Sequence, residues 1–248
     1  FHIKELKNWI GKTNLKSSDL KCGTHNPLCK KSSERLFLSG HTPYQLHNNC
    51  AGKHLAMLST CLANKFPIKN YVEFNHPHQK KIRKIFSQFS ENIISKKNYA
   101  IDGCSAPQYA FKIKDLGTAL CNLMKSYNGK FYFANNIKSM IVSILNNPFY
   151  IGGSNNLDSN LIKISKKNIF CKGGAEGVFL FINLKKNIFG ILKVKDGNER
   201  VLPSAIYTLF KKFKILNSEE LKSFIAWNDL NLYNHAKVKI GSIKTIIE

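Results

Sequence analysis

Two cysteines and a lysine stand in short polar blocks of this 248-residue chain. Cys50 and Lys53 belong to His47-Asn48-Asn49-Cys50-Ala51-Gly52-Lys53-His54, and Cys104 belongs to Asp102-Gly103-Cys104. If a helix starts at Cys50, the three-residue spacing puts Cys50 and Lys53 on one face. A thiolate near a helix N-terminus is stabilised by the macrodipole and by unsatisfied N–H groups. A lysine acts as ligand or base only when deprotonated, and a bound zinc ion favours both the thiolate and the neutral amine. Cys104 would be a third ligand, and three protein ligands with one open position make an accessible metal site. Spacing alone leaves the plainer reading open. In that reading Cys50 is buried in a helix cap, Lys53 is solvated and Cys104 shapes a turn.

Other constellations carry less. Ser18-Asp19-Leu20-Lys21 matches the SxxK pattern of serine acyl transferases but lies in a polar segment without an apolar helix to hold it. Lys172-Gly173-Gly174-Ala175-Glu176-Gly177 follows no phosphate-loop pattern and reads as a turn between strands. His76 and His78 flank Pro77 and read as caps or surface groups. Lys193 ends an apolar run just before Asp196-Gly197, where it is either a surface residue or a lysine aimed into a cleft.

The elements that must position these groups follow from periodicity. Helices are expected over 2–11, over 51–64 with Leu55, Leu58 and Leu62 on one face, and from Pro77 onward. The last should turn Lys80, Lys81, Arg83 and Lys84 outward and Ile82, Ile85, Phe86 and Phe89 inward. Further helices are expected near 113–127 and 134–146, after the cap Asn198, and over 217–226. Apolar runs at 168–172, 177–184 and 187–195 predict a meander, and a last strand near 235–246 is expected to return to that sheet. The sum is one α+β domain covering 1–248, an antiparallel sheet flanked by helices.

Composition narrows the setting. The net charge is +23, carried almost wholly by lysine, with Arg35, Arg83 and Arg200 the only arginines. Nucleic-acid readout favours arginine forks, so solvated lysines are preferred over a nucleic-acid partner. Seven cysteines without a CxxC framework fit a reducing compartment, and a cytoplasmic protein is expected. Cys61 and Cys121 fall in apolar helical patterns and read as core residues. No apolar run is long enough to span a membrane.

Taken together, the blocks resemble the bacterial, rhizobial-type L-asparaginase II family. Cys22-Gly23-Thr24-His25-Asn26-Pro27 is similar to its CGxHxP turn, and His47 to His54 to its HNNCSGKH block. Asn75-His76-Pro77-His78-Gln79 resembles DHPxQ, and Asp102 to Pro107 resembles DGCSAP. Lys172 to Val178 resembles KGGAEGV, and Lys193 to Gly197 resembles KxxDG. Six blocks in the family's order are far more specific than any one. The resemblance implies hydrolysis of L-asparagine to L-aspartate and ammonia, a fold like that of serine β-lactamases and penicillin-binding proteins, and a homodimer. It also implies zinc ligation by Cys50, Lys53 and Cys104, a catalytic role for Lys193 and Lys53, and substrate contacts from Asp102 and Lys53.

Departures qualify the match. The family's SxxK helix start and its SHSxE serine have no counterpart here, because Phe1-His2 resembles the residues just after SHSGE. The chain is therefore expected to be N-terminally incomplete, lacking the nucleophile and the N-terminal strands of the sheet. Ser18 aligns before CGxHxP and does not replace that serine. Ala51 stands for the usual serine of NCSGK, and Asn155-Asn156-Leu157-Asp158 stands where the family has GRFD. Competing readings are a non-catalytic zinc-binding homologue, motivated by those replacements, and a basic nucleic-acid-binding module, motivated by charge.

Overall fold

The first apolar stripe, Ile3, Leu6 and Ile10, lies on helix α1 (His2–Gly11) and packs on a core built around Leu55, Leu58, Cys61 and Tyr71. The computed structural model describes residues 1–227 and 230–248. Its backbone divides into two compact units, Phe1–Asp115 and Leu116–Glu248, each with its own core.

In the first unit, α2 (Lys30–Leu38) has no buried residue, whereas α3 (Ala51–Ala63) runs through the core. Helix α4 (Pro77–Ser90) starts with proline at its first turn, and its cap is His76, whose Nδ1 accepts the His78 N–H at 3.2 Å. Strands β1 (Tyr99–Ile101) and β2 (Pro107–Tyr109) pair antiparallel as a short hairpin. Helix α5 (Ile113–Tyr127) follows.

The second unit continues with α6 (Ala134–Asn146), α7 (Pro148–Gly152) and α8 (Leu157–Ile164). Then come β3 (Ile169–Gly174), β4 (Val178–Asn183) and β5 (Ile188–Lys193), the expected antiparallel meander in the order β3-β4-β5. Phe179, Phe181 and Ile182 of β4 are buried against Ile206 and Phe210 of α9 (Leu202–Lys212) and Phe224 of α10 (Ser218–Trp227). The chain ends with β6 (Asn231–Tyr233) and β7 (Lys239–Ser242). Among the described residues there are ten α-helices and only small antiparallel sheets, an α+β architecture.

Several expectations need correction. The last strand pairs with β6 and not with the meander. Its Ile240 and the preceding Val238 are mostly exposed, so no buried face pulls it to the sheet. A short turn with Lys237 in the left-handed region and the Val238 N–H bonded to Asn234 Oδ1 closes the hairpin locally. Periodicity missed α2, α7 and α8, since the first is polar and the other two are short. Leu62, Ile85 and Phe86 are partly exposed, although Phe86 packs edge-on against Tyr109 and Phe111. His78 is buried rather than on the surface, and Cys121 is only half-buried. Asn198 caps a single 3-10 turn, Glu199–Val201, that leads into α9.

Candidate functional site

Cys50 occupies the N-cap of α3, and Lys53 projects from its first turn. The loop before the helix is held by its own polar residues. Buried Asn48 accepts the Cys50 N–H at 2.8 Å and donates through Nδ2 to the Cys22 carbonyl at 2.8 Å. His25 Nε2 accepts the Asn49 N–H at 3.1 Å, which leaves Nδ1–H to donate to the Asn26 carbonyl at 2.6 Å. These bonds strap the Cys22–Asn26 turn onto the start of α3. They give the polar CGxHxP and HNNC blocks a structural reason for their residue types.

Cys104 sits in the turn between β1 and β2. Asp102 N–H donates to the Ala106 carbonyl and Ser105 N–H to the Asp102 carbonyl, both at 2.8 Å, with Ser105 in the left-handed region at φ 66°. Asp102 Oδ1 accepts the Gly103 N–H at 2.7 Å, which fixes the carboxylate over the turn. The tight Asp-Gly turn expected at Cys104 is thus present.

The hairpin and the helix bring the groups together. One donor atom each from Cys50, Asp102 and Cys104 lies within 4.8 Å of the others. Lys53 Nζ stands 3.1 Å from Asp102 Oδ2, and Cys104 Sγ is 3.5 Å from the same oxygen. Two sulfurs and a carboxylate are donors that zinc takes, so the residue set fits such an ion. Without a metal, the Cys50 thiol and the Lys53 ammonium keep their protons. Burial pushes the Cys50 thiol up to about 11, against the opposing pull of the Lys53 charge. Burial works against the Lys53 ammonium, yet bonding to Cys104 and Asp102 outweighs it and raises its pKa. Asp102 is held below the usual carboxylate range: burial opposes this, and the Lys53 bond prevails. Neighbouring His54 is pushed down to about 4, first by burial and then by the Lys53 charge, and is neutral at pH 7.

Lys193 ends β5 in the second unit, exposed to solvent. Its Nζ donates to the Glu176 carbonyl in the turn between β3 and β4 at 2.7 Å and to the carbonyl of the adjacent Val194 at 2.6 Å. A second polar centre escaped the spacing arguments. Asp158, on α8, is buried, and its Oδ2 accepts from Lys172 Nζ at 3.0 Å while Oδ1 accepts the Gly173 N–H at 2.9 Å. A Cβ on Gly173 would lie 3.1 Å from that Oδ1, so glycine there admits the carboxylate. Asn156 caps α8 by accepting the Asp158 N–H at 2.9 Å. The signal for this centre was the KGGAEGV resemblance at Lys172, not any local spacing.

A family model described as L-asparaginase II matches residues 1–245 of the chain. The chain belongs to the L-asparaginase II family. No curated protein sequence matches it. Membership makes it an asparaginase-type amidohydrolase with a small-molecule amide as substrate. No helix among the described residues is long and apolar enough to cross a membrane. The family match spans both compact units, so the Cys50–Lys53–Cys104 cluster, Asp158–Lys172 and Lys193 all belong to L-asparaginase II sequence.

Proposed function

We propose that this protein hydrolyses the side-chain amide of L-asparagine to L-aspartate and ammonia, with Cys50, Lys53 and Cys104 holding a zinc ion beside the substrate. The observation that carries the reading is the convergence of two thiols and the Asp102 carboxylate within 4.8 Å, with Lys53 bonded to that carboxylate. A bound zinc supplies positive charge that favours the thiolate and neutral-amine forms of its ligands. Asp102 and Lys53 are the polar groups placed to orient the charged ends of an amino-acid substrate. Lys193 is the family's further lysine in this reading and assists by charge or proton transfer. Amide hydrolysis also needs a nucleophile and an oxyanion donor. In this reading the attacking group is a serine of the kind the family pattern carries.

The meander β3-β4-β5 with helices packed on it supports a β-lactamase-like sheet, and the family match through residue 245 supports treating both units as one asparaginase domain. A cytoplasmic homodimer completes the reading, and seven cysteines without a CxxC framework agree with that compartment.

The test uses the full product of the reading frame that encodes this sequence. Ammonia release from L-asparagine is followed beside zinc content, for wild type, Cys50→Ala and Lys53→Met. Turnover in the wild type, with metal and turnover lost together in both variants, is expected. Unchanged turnover in folded Cys50→Ala protein would remove the metal from the reaction. Stoichiometric zinc with no turnover would favour a non-catalytic homologue.

A further inference from the structure

The glycine-rich block from Lys172 to Val178 and the block from Lys193 to Gly197 meet at one end of the meander. Gly174 pairs with Val178, and Val178 with Lys193, so the loop 175–177 lies beside the chain leaving β5. Three contacts lock the two turns together. The Val194 N–H donates to the Gly177 carbonyl at 2.9 Å. A Cβ on Gly177 would lie 2.6 Å from that of Val194, so the chains touch there. Lys193 Nζ donates to the Glu176 carbonyl at 2.7 Å. With its second bond, to the Val194 carbonyl, Lys193 uses two of the three N–H donors of an ammonium, which leaves one.

Glu176 is the acidic member of this corner. Its φ of 62° lies in the left-handed region, which asparagine, aspartate and glycine fill at less cost, so the turn itself does not select glutamate. The side chain folds over the neighbouring turn: a Cβ on Gly197 would lie 2.6 Å from Glu176 Oε2. Among the described residues no hydrogen-bond donor or cation engages that carboxylate. Asp102, by contrast, is already paired with Lys53. A lysine with a donor to spare and a carboxylate with no partner are thus rooted in one interlocked pair of turns. They match the adjacent carboxylate and ammonium of an α-amino acid. We infer that Glu176 is a specificity residue, whose carboxylate binds the α-ammonium of the amino-acid substrate on which Lys193 acts. This role rests on the proposed amidohydrolase reading, in which Lys193 serves the reaction, and it separates amino acids from simple amides.

The experiment compares L-asparagine with succinamate, the same amide without the α-amino group, on the full product of the reading frame. Wild type should prefer L-asparagine. Glu176→Gln keeps the shape and removes the charge. It should lose about 10–100-fold in kcat/KM for L-asparagine, through KM, as when a hydrogen bond to a charged group is lost. Its kcat/KM for succinamate should not change, and Glu176→Asp should recover part of the loss. A merely structural role would lower both substrates alike. Equal losses on both, no loss on either, or a wild type without preference for L-asparagine overturns the inference, and the last needs no variant. A wild type that turns over neither amide refutes the proposed function, and calorimetry then decides the role of Glu176. L-aspartate bound about 10–100-fold more weakly by Glu176→Gln, with succinate unaffected, supports it. L-aspartate binding that is absent or unchanged overturns it.

Discussion

Protons decide how the cluster responds to metal. Without an ion, Cys50 is a thiol with its pKa raised to about 11 and Lys53 an ammonium with its pKa raised. Both must deprotonate to bind zinc, so binding releases protons and tightens as pH rises. The apparent zinc affinity should increase about tenfold per pH unit for each proton released. Calorimetry in buffers of different ionisation enthalpy measures that number, and a pH-independent affinity between about pH 6 and 8, below both raised values, would exclude these ligands. Cysteine reactivity should divide along the same physical line. Exposed Cys29 has its pKa lowered chiefly by a hydrogen bond from Ser32, so it carries more thiolate than its neighbours at a given pH. Cys61 and Cys171 are buried, and desolvation raises both. Timed alkylation with mass mapping should label Cys29 first and Cys171 last. Labelling of Cys171 ahead of Cys29 would mean that the core around β3 opens readily.

At the scale of elements, close approaches explain individual glycines and lysines. Gly190 on β5 faces Phe181 on β4, and a Cβ there would meet the ring at 2.5 Å. The ring cannot move aside freely, because it packs edge-on against Phe210 of α9 at 4.7 Å between centroids. Gly190→Ala should therefore destabilise the protein by about 1–3 kcal/mol, read from urea unfolding. Lys172 makes an ion pair with buried Asp158, and its own side chain is half exposed. Lys172→Met should cost about 1–3 kcal/mol by stranding the carboxylate, less than a wholly buried pair would. The meander and the helices over 51–63, 77–90, 113–127 and 134–146 were legible because their apolar periods are sustained over several turns or alternate between strands. The β7 partner was not legible. Both candidate pairings suit the same short apolar stretch, and only the tight turn at Asn234–Lys237 decides between them.

For the whole molecule, the charge of +23 is a matter of solubility and encounter more than of fold. It is carried by lysines, whose compact ammonium groups lack the bidentate fork used in base recognition. Binding to an oligonucleotide, followed by fluorescence anisotropy, should fall away steeply with salt and be undetectable near physiological ionic strength. Saturable binding that survives there would reopen the nucleic-acid reading. The two units keep separate cores, one around Leu55, Leu58 and Tyr71 and the other around Phe179, Ile206 and Phe210.

Sequence by itself determined the family and the residue types of the site, because six blocks in order constrain identity without any need for coordinates. It also determined the long helices and the meander, which are set by local apolar period. Tertiary structure alone decided what those residues touch. Cys50 and Cys104 are far apart along the chain, and only the placement of the hairpin beside α3 brings their sulfurs together with Asp102. The same holds for Tyr71 beside His54 and Lys172 beside Asp158, pairs joined across a fold and not along a period. A buried polar group must find its partner wherever the core places one, so its identity depends on packing that no local pattern encodes.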